Sequence, residues 1–184
     1  MKKRQITIES LFNESGVYTI VINNARFHKN FVVWAEKIIK QFAGDQEVFF
    51  GFYRTDGMNL TLERQRELRD VIPSLFKKYG DIEGLSDYLT IARIQLNNSC
   101  YGLLPSVFDY FLETMLFIPK VEWETFRQYH LNYQEYRFEE IILHDLADLL
   151  FCYFDSGDFM ICLNPQVYSH ETIRGMAVEA FGRG

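Results

Sequence analysis

The sequence predicts one α+β domain that spans residues 1–184. Three observations support this class. The chain opens with a strand–helix–strand pattern, its middle carries apolar residues mostly at helical spacing, and two apolar runs near its C-terminus flank a Ser-Gly turn. With 48% hydrophobic and 24% charged residues, the composition is that of a globular domain and excludes a disordered chain.

The opening β-α-β unit is predicted from three consecutive patterns. Residues 17–22 (VYTIVI) are β-branched and apolar, which predicts a buried strand. From His28 to Phe42 the apolar residues recur at helical spacing, and Gly44 ends the predicted helix. Residues 47–54 (EVFFGFYR) then predict a second strand.

The middle of the chain is predicted to be largely helical. Apolar residues fall on one broad face in several segments, with Thr61 and Pro105 at positions typical of helix starts. The predicted helices cover residues 61–79, 106–117, 123–137 and 139–150. Residues 89–96 (LTIARIQL) are the exception, because their alternation favours a strand.

The C-terminal part is predicted to be a β-hairpin followed by a helix. Residues 151–154 and 159–163 are apolar runs on either side of Asp-Ser-Gly-Asp, and Cys152 and Cys162 within them are expected to be core residues that face each other. Ser169 is expected to cap the last helix, and Gly182 to end it.

The acidic residues are concentrated in the second half of the chain. Residues 1–92 hold 13 basic and 12 acidic side chains, whereas residues 93–184 hold 6 and 13. A field of this sign repels a phosphate backbone and attracts a basic protein. We therefore expect a basic protein partner and no direct binding to nucleic acid.

Targeting signals and cofactor motifs are not expected either. No apolar run approaches the roughly 18 residues of a membrane span, and Glu9 interrupts the basic start before any apolar core. Three cysteines without a CxxC spacing favour a reducing, cytoplasmic location. The chain has no GxxxxGK[ST], GxGxxG, HExxH or GxSxG motif, so no cofactor, metal site or catalytic residue is predicted.

The predicted binding surface combines acidic and tyrosine side chains from residues 122–158. Tyrosines anchor protein interfaces because rigid rings bury a large area at a small entropic cost, while acids steer a basic partner. Trp123 and Phe126 are expected to be core, and for the tyrosines the sequence leaves core and interface open. The predicted partner-binding residues are Glu122, Glu124, Tyr129, Tyr133, Glu135, Tyr136, Glu139, Asp145 and Asp148.

In general character the chain resembles the cytosolic immunity proteins of bacterial toxin systems, which are small, acidic, rich in aromatic residues and free of catalytic motifs. The resemblance implies a non-enzymatic protein that neutralises a basic toxin, for example a nuclease, by binding it. A secretion chaperone or adaptor shares this acidity and size, and is an alternative within the same class.

A small metal-dependent hydrolase is the alternative from a different class. The adjacent His144 and Asp145 resemble the His-Asp pair of the HD-type metal phosphohydrolases, with His130 before them and further aspartates after them. The separations along the chain are shorter than that family's pattern, so a histidine on a helix surface beside capping and solvating acids explains the pair better.

Overall fold

The computed structural model describes residues 5–12, 16–53, 80–84, 89–96, 101, 114–132, 142, 144–154 and 156–182. Within these ranges, eight strands form one sheet in which every neighbouring pair is antiparallel, in the order β1-β2-β8-β7-β6-β3-β5-β4. The strands are β1 (Thr7–Phe12), β2 (Tyr18–Asn23), β3 (Glu47–Tyr53), β4 (Gly80–Gly84), β5 (Leu89–Gln95), β6 (Thr114–Pro119), β7 (Ala147–Tyr153) and β8 (Phe159–Leu163).

The helices whose bounds the structure gives are α1 (Phe31–Ala43), α2 (Trp123–Asn132) and α3 (His170–Phe181). In α1 the apolar residues at helical spacing are those that become buried, and Gly44 follows with a positive φ of 55°. In α3 the Ser169 hydroxyl accepts a hydrogen bond from the backbone N–H of Thr172. The predicted cap and the predicted end at Gly182 are therefore confirmed, and so is the α+β class.

The sheet is buried on both faces, because side chains alternate between two separate apolar clusters. One cluster packs against α1 and α3, and Phe159 in it makes edge-on ring contacts with Phe31 and Trp34 at 5.6 and 5.4 Å. The other cluster packs against α2, where Phe126 lies 4.6 Å from the ring of Phe49. Trp123 and Phe126 are both buried, as predicted.

The β-α-β opening is confirmed as β2, α1 and β3. The successive antiparallel pairs make β2 and β3 run in the same direction, yet β8, β7 and β6 lie between them in the sheet. The C-terminal hairpin is also confirmed, because β7 pairs directly with β8. Cys152 and Cys162 are both buried, but Cys152 lies opposite Met160 and Cys162 opposite Leu150, so the two thiols do not face each other directly.

Two of the helices predicted for the middle of the chain are wrong where the structure describes them as strands. Residues 114–117 of the second predicted helix belong to β6, and residues 147–150 of the fourth belong to β7. Residues 114–118 are all buried, because the strand is covered on both faces. Such a strand shows a continuous apolar run instead of alternation, and a continuous run does not distinguish a strand from a buried helix.

The remaining predictions for the middle have mixed outcomes. Helix α2 confirms the first ten residues of the helix predicted for 123–137, and β5 confirms the strand predicted for 89–96. The helix predicted for residues 61–79 lies outside the described residues. None of the described helices is long and apolar enough to span a membrane.

Candidate functional site

Two of the predicted partner-binding segments meet at the end of the sheet where β6 ends and β7 begins. The backbone N–H of Lys120, just after β6, donates to the carbonyl of Leu146, just before β7, at 3.0 Å. The ammonium of Lys120 lies 2.5 Å from Asp145 Oδ1 and 3.4 Å from Asp148 Oδ1. The chain then turns directly into α2, so Glu122 and Glu124 follow at the same end of the sheet.

We call these four carboxylates, Glu122, Glu124, Asp145 and Asp148, the acidic end. Glu122 and Asp145 are exposed. Glu124 is exposed too, and its Oε2 accepts hydrogen bonds from Arg127 Nη2 at 2.9 Å and Nε at 3.1 Å. Within the described ranges, Lys120 and Arg127 are the cations in contact with the four carboxylates, which leaves an excess of two negative charges.

Asp148 differs from the other three members because it ties strands together. Its side chain is only 17% exposed, and its Oδ1 accepts a hydrogen bond from Asn164 Nδ2 at 3.3 Å. Its backbone carbonyl also accepts from the backbone N–H of Asn164, at the end of β8. Burial, followed by the charge of Asp148, raises the pKa of Tyr168. Asp148 therefore has a structural role, which leaves three acids available to a partner.

Lys120 forms ion pairs with two members of the acidic end, Asp145 and Asp148. The hydrogen bond to Asp145 raises the pKa of Lys120 above its ordinary value, and the charge of Asp148 acts in the same direction. Asp145 itself adopts a left-handed φ of 61° in the turn before β7, a conformation that aspartate tolerates better than most residues. The turn directs its exposed carboxylate back toward Lys120.

The structure does not bring the whole predicted surface together. The backbone of Tyr129 lies in α2, but its side chain is not among those described, and Tyr133, Glu135, Tyr136 and Glu139 lie outside the described residues. Whether these tyrosines belong to the core or to an interface stays a prediction.

The His144-Asp145 pair lies in an exposed turn instead of on the predicted helix. Among the described residues, no group of three or more His, Cys, Asp and Glu side chains is arranged to hold a metal ion. The metal-dependent hydrolase therefore stays a prediction. Metal analysis of the purified protein, with His144→Ala as the matched variant, tests it directly.

A second surface feature, which the sequence analysis missed, is a groove of about 890 Å³ between α3 and the β1-β2 pair. At one end of it the ring of His170 stacks on Tyr18, with centroids 3.9 Å apart. Ser10 Oγ is buried beside the groove and has no hydrogen-bond partner in the described part of the chain. The groove was missed because β1 was not predicted: residues 6–9, Ile-Thr-Ile-Glu, alternate as an edge strand does, but the alternation stops at Ser10.

Comparison of the chain with protein-family models, with curated proteins and with solved structures finds no match. The function is therefore inferred from the acidic end and from the groove between α3 and the β1-β2 pair.

Proposed function

We propose that this protein is a non-enzymatic binding protein that docks a basic protein partner on its acidic end. The observation that carries the proposal is the contact of Lys120 with Asp145 and Asp148, which brings these two acids to the end of the sheet where Glu122 and Glu124 follow Lys120 in the sequence. In this reading, the immunity-type resemblance supplies the biological role, in which the partner is a toxin that the protein neutralises.

The existing ion pairs at the acidic end favour exchange with a partner. Ion pairs between exposed groups contribute little to stability, roughly 0–1 kcal/mol, and the carboxyl groups of Glu124 and Asp145 are 64% and 72% exposed. A partner's arginine or lysine can therefore replace Arg127 or Lys120 at small cost. The carboxylates are already positioned by their own cations, so binding orders few additional side chains.

Long-range attraction is the second contribution that we expect from the acidic end. Exposed charges steer a partner over about 10 Å at 0.1 M salt, and steering changes the association rate more than the dissociation rate. The excess of two negative charges at this end is part of the net charge of -6 of the whole chain. Association with a basic partner should accordingly slow as salt is added.

The test begins with affinity capture of the tagged protein in a lysate of its host, at low and at high salt. The retained partner is identified and its association rate is then measured with purified proteins. Glu122→Lys and Asp145→Lys should each slow association severalfold at low salt, and the difference should shrink at high salt.

Glu179→Lys is the matched control, because Glu179 is an exposed acid near the end of α3, on the opposite face of the sheet from α2. It changes the net charge by the same amount at a different place. If all three variants slow association equally, only the net charge matters and the acidic end is not the docking surface. A protein that retains no stoichiometric partner at either salt concentration also contradicts the proposal.

A further inference from the structure

The outer edge of β1 is open in the described structure. β1 is the first strand of the sheet, and among the described strands it pairs only with β2. Alternate residues of such an edge strand point their backbone N–H and C=O groups away from the sheet. Natural proteins usually protect open edges with charged side chains, above all lysine, with proline or with a bulge. The sequence of β1, TIESLF, has one charged residue, Glu9, and neither lysine nor proline, and its pairing with β2 is regular.

The side chains near this edge are also unusual for a surface that only meets water. Phe12 and Leu11, at the end of β1, are 63% and 59% exposed. In the facing helix, Gly175 leaves the wall of the groove open, because a Cβ placed there would meet nothing within 4 Å. Glycine in a helix interior is less favourable than alanine. Alanine at position 175 would therefore stabilise α3 more than glycine does.

We propose that a second copy of this chain pairs with β1, antiparallel and about a two-fold axis through Ser10, so that Phe12 of the partner subunit enters the groove beside Ile8. The result is a continuous sheet across two copies. Each copy then supplies both the phenylalanine and the groove that receives it, as a two-fold interface requires.

The register follows from symmetry and charge. Directly opposed residues of two antiparallel strands lie on the same face of the sheet. A two-fold axis normal to the sheet therefore lies at the level of one residue, midway between that residue and its own copy. An axis through Glu9 would set two carboxylates directly opposite each other, which is unfavourable. An axis through Ser10 sets Ile8 opposite Phe12 of the partner subunit, and sets two small uncharged residues opposite each other instead of two carboxylates.

A second copy fits this edge better than an unrelated peptide does. Ile8, Ser10 and Phe12 share the sheet face that carries α3, since alternate residues of a strand point to one side. The apolar pair is therefore repeated on both sides of Ser10, and the strand is complementary to its own reversed copy. The pairing covers the exposed Phe12 ring, the open backbone edge and the groove at the same time.

The first experiment measures mass against concentration by sedimentation velocity on the full chain. Because an interface of strand size is at the small end of known interfaces, self-association is expected in the micromolar range, about 1 to 500 μM. The wild-type mass should double across this range. Phe12→Lys should remain monomeric, because Phe12 is exposed in one copy and its replacement leaves the fold intact.

Val33→Lys is the matched control, since Val33 is 70% exposed and lies on α1, away from β1. It should dimerise as the wild type does, and circular dichroism should show that both variants are folded. A wild-type chain that stays monomeric at the highest concentration overturns the proposal, as does a Phe12→Lys variant that dimerises like the wild type.

The second experiment tests the register by oxidative cross-linking in a Cys100→Ser background, in which the described native cysteines are buried. Directly opposed strand residues have Cα atoms 4.5–5.5 Å apart, within the range for a disulfide. Ser10→Cys should therefore give a covalent dimer, and Glu9→Cys should not. A covalent dimer from Glu9→Cys alone overturns the register. If no variant forms a covalent dimer and the wild type is monomeric, the proposal is wrong, and the edge of β1 would then pair with an extended segment of a different protein.

Discussion

Replacing Gly157 by alanine should destabilise the protein, and the structure gives the sign and the size of the effect. Gly157 lies in the turn between β7 and β8, where its N–H donates to the carbonyl of Phe154 at 2.9 Å. Its own carbonyl accepts a hydrogen bond from the backbone N–H of Arg26 at 3.0 Å, so the turn docks on the 3-10 turn Ala25–Phe27. Gly157 has a φ of 92°, which L-residues rarely adopt.

Two costs add at this position. A Cβ on Gly157 would lie 2.8 Å from Phe27 Cε2 and 3.4 Å from Arg26 Cβ. The Phe27 ring is 52% exposed and can move aside, so the steric cost is small. The positive φ cannot be relieved without breaking the docked turn, and it costs about 1–2 kcal/mol for an L-residue. We expect a loss of roughly 1–3 kcal/mol in the free energy of unfolding.

The same substitution at Gly175 should have the opposite effect. Gly175 lies inside α3 with an ordinary helical backbone, and a Cβ there contacts nothing within 4 Å. Alanine in a helix interior is more stable than glycine by about 0.5–1 kcal/mol. Both variants add one methyl group, so a difference in stability between them reports the effect of the backbone conformation at each position.

Urea unfolding, at one low protein concentration where self-association is negligible, measures both variants. The free energies of unfolding should differ between them by about 2–4 kcal/mol, with the wild type in between. For a chain of this length, each kcal/mol shifts the melting temperature by about 2–4 °C. A Gly157→Ala variant as stable as the wild type, or a Gly175→Ala variant less stable than Gly157→Ala, would refute the reasoning.

Three further predictions concern the core, a helix cap and the acidic end. Phe159→Ala should cost about 3–5 kcal/mol in urea unfolding, because Phe159 is fully buried between α1 and the sheet; a cost under about 1 kcal/mol would contradict the packing. Ser169→Ala should lower stability by about 1 kcal/mol through loss of the cap to the N–H of Thr172, whereas Ser169→Asp should retain it. The Asp145 hydrogen bond raises the pKa of Lys120 above its ordinary 10.5. The stability contributed by that pair is therefore present below pH 10.5 and is lost as the pH rises through the raised pKa. Lys120→Met should remove this part of the alkaline loss in urea titrations between pH 9 and 11.5, and an unchanged pH profile would argue against the pair.

The elements that were predicted correctly are those whose local pattern survives in the fold. Helix α1 buries only one face, so its apolar residues keep helical spacing, and α3 carries its own cap at Ser169 and its own terminator at Gly182. The β7-β8 hairpin was found because a tight turn leaves a local signature, Asp-Ser-Gly-Asp, between two apolar runs.

The errors share a physical cause, which is burial on both faces of the sheet. β6 and the start of β7 read as helices because each strand lies between two apolar clusters and loses its alternation. β1 was missed for the opposite reason, because an edge strand with exposed residues resembles a polar loop. The acids of residues 122–148 were identified from the sequence, but the contact of Asp145 and Asp148 with Lys120 depends on the pairing of β6 with β7, which no local pattern reveals.

The two proposed interfaces are geometrically independent, which allows either one to fail alone. β2 and β8 separate β1 from β7, and the acidic end lies at the end of the sheet where β1 finishes with Phe12. A two-fold axis normal to the sheet reverses the strand direction between the copies. The two acidic ends of the dimer then point in opposite directions, and each remains open to its own partner. Phe12→Ser, which removes the ring without adding a charge near the acidic end, should also remain monomeric. It should bind the captured partner at the wild-type rate while changing the assembly from two copies of each chain to one. A Phe12→Ser variant that loses the partner would show instead that the edge of β1 is the docking surface, and that the acidic end serves only to steer the encounter.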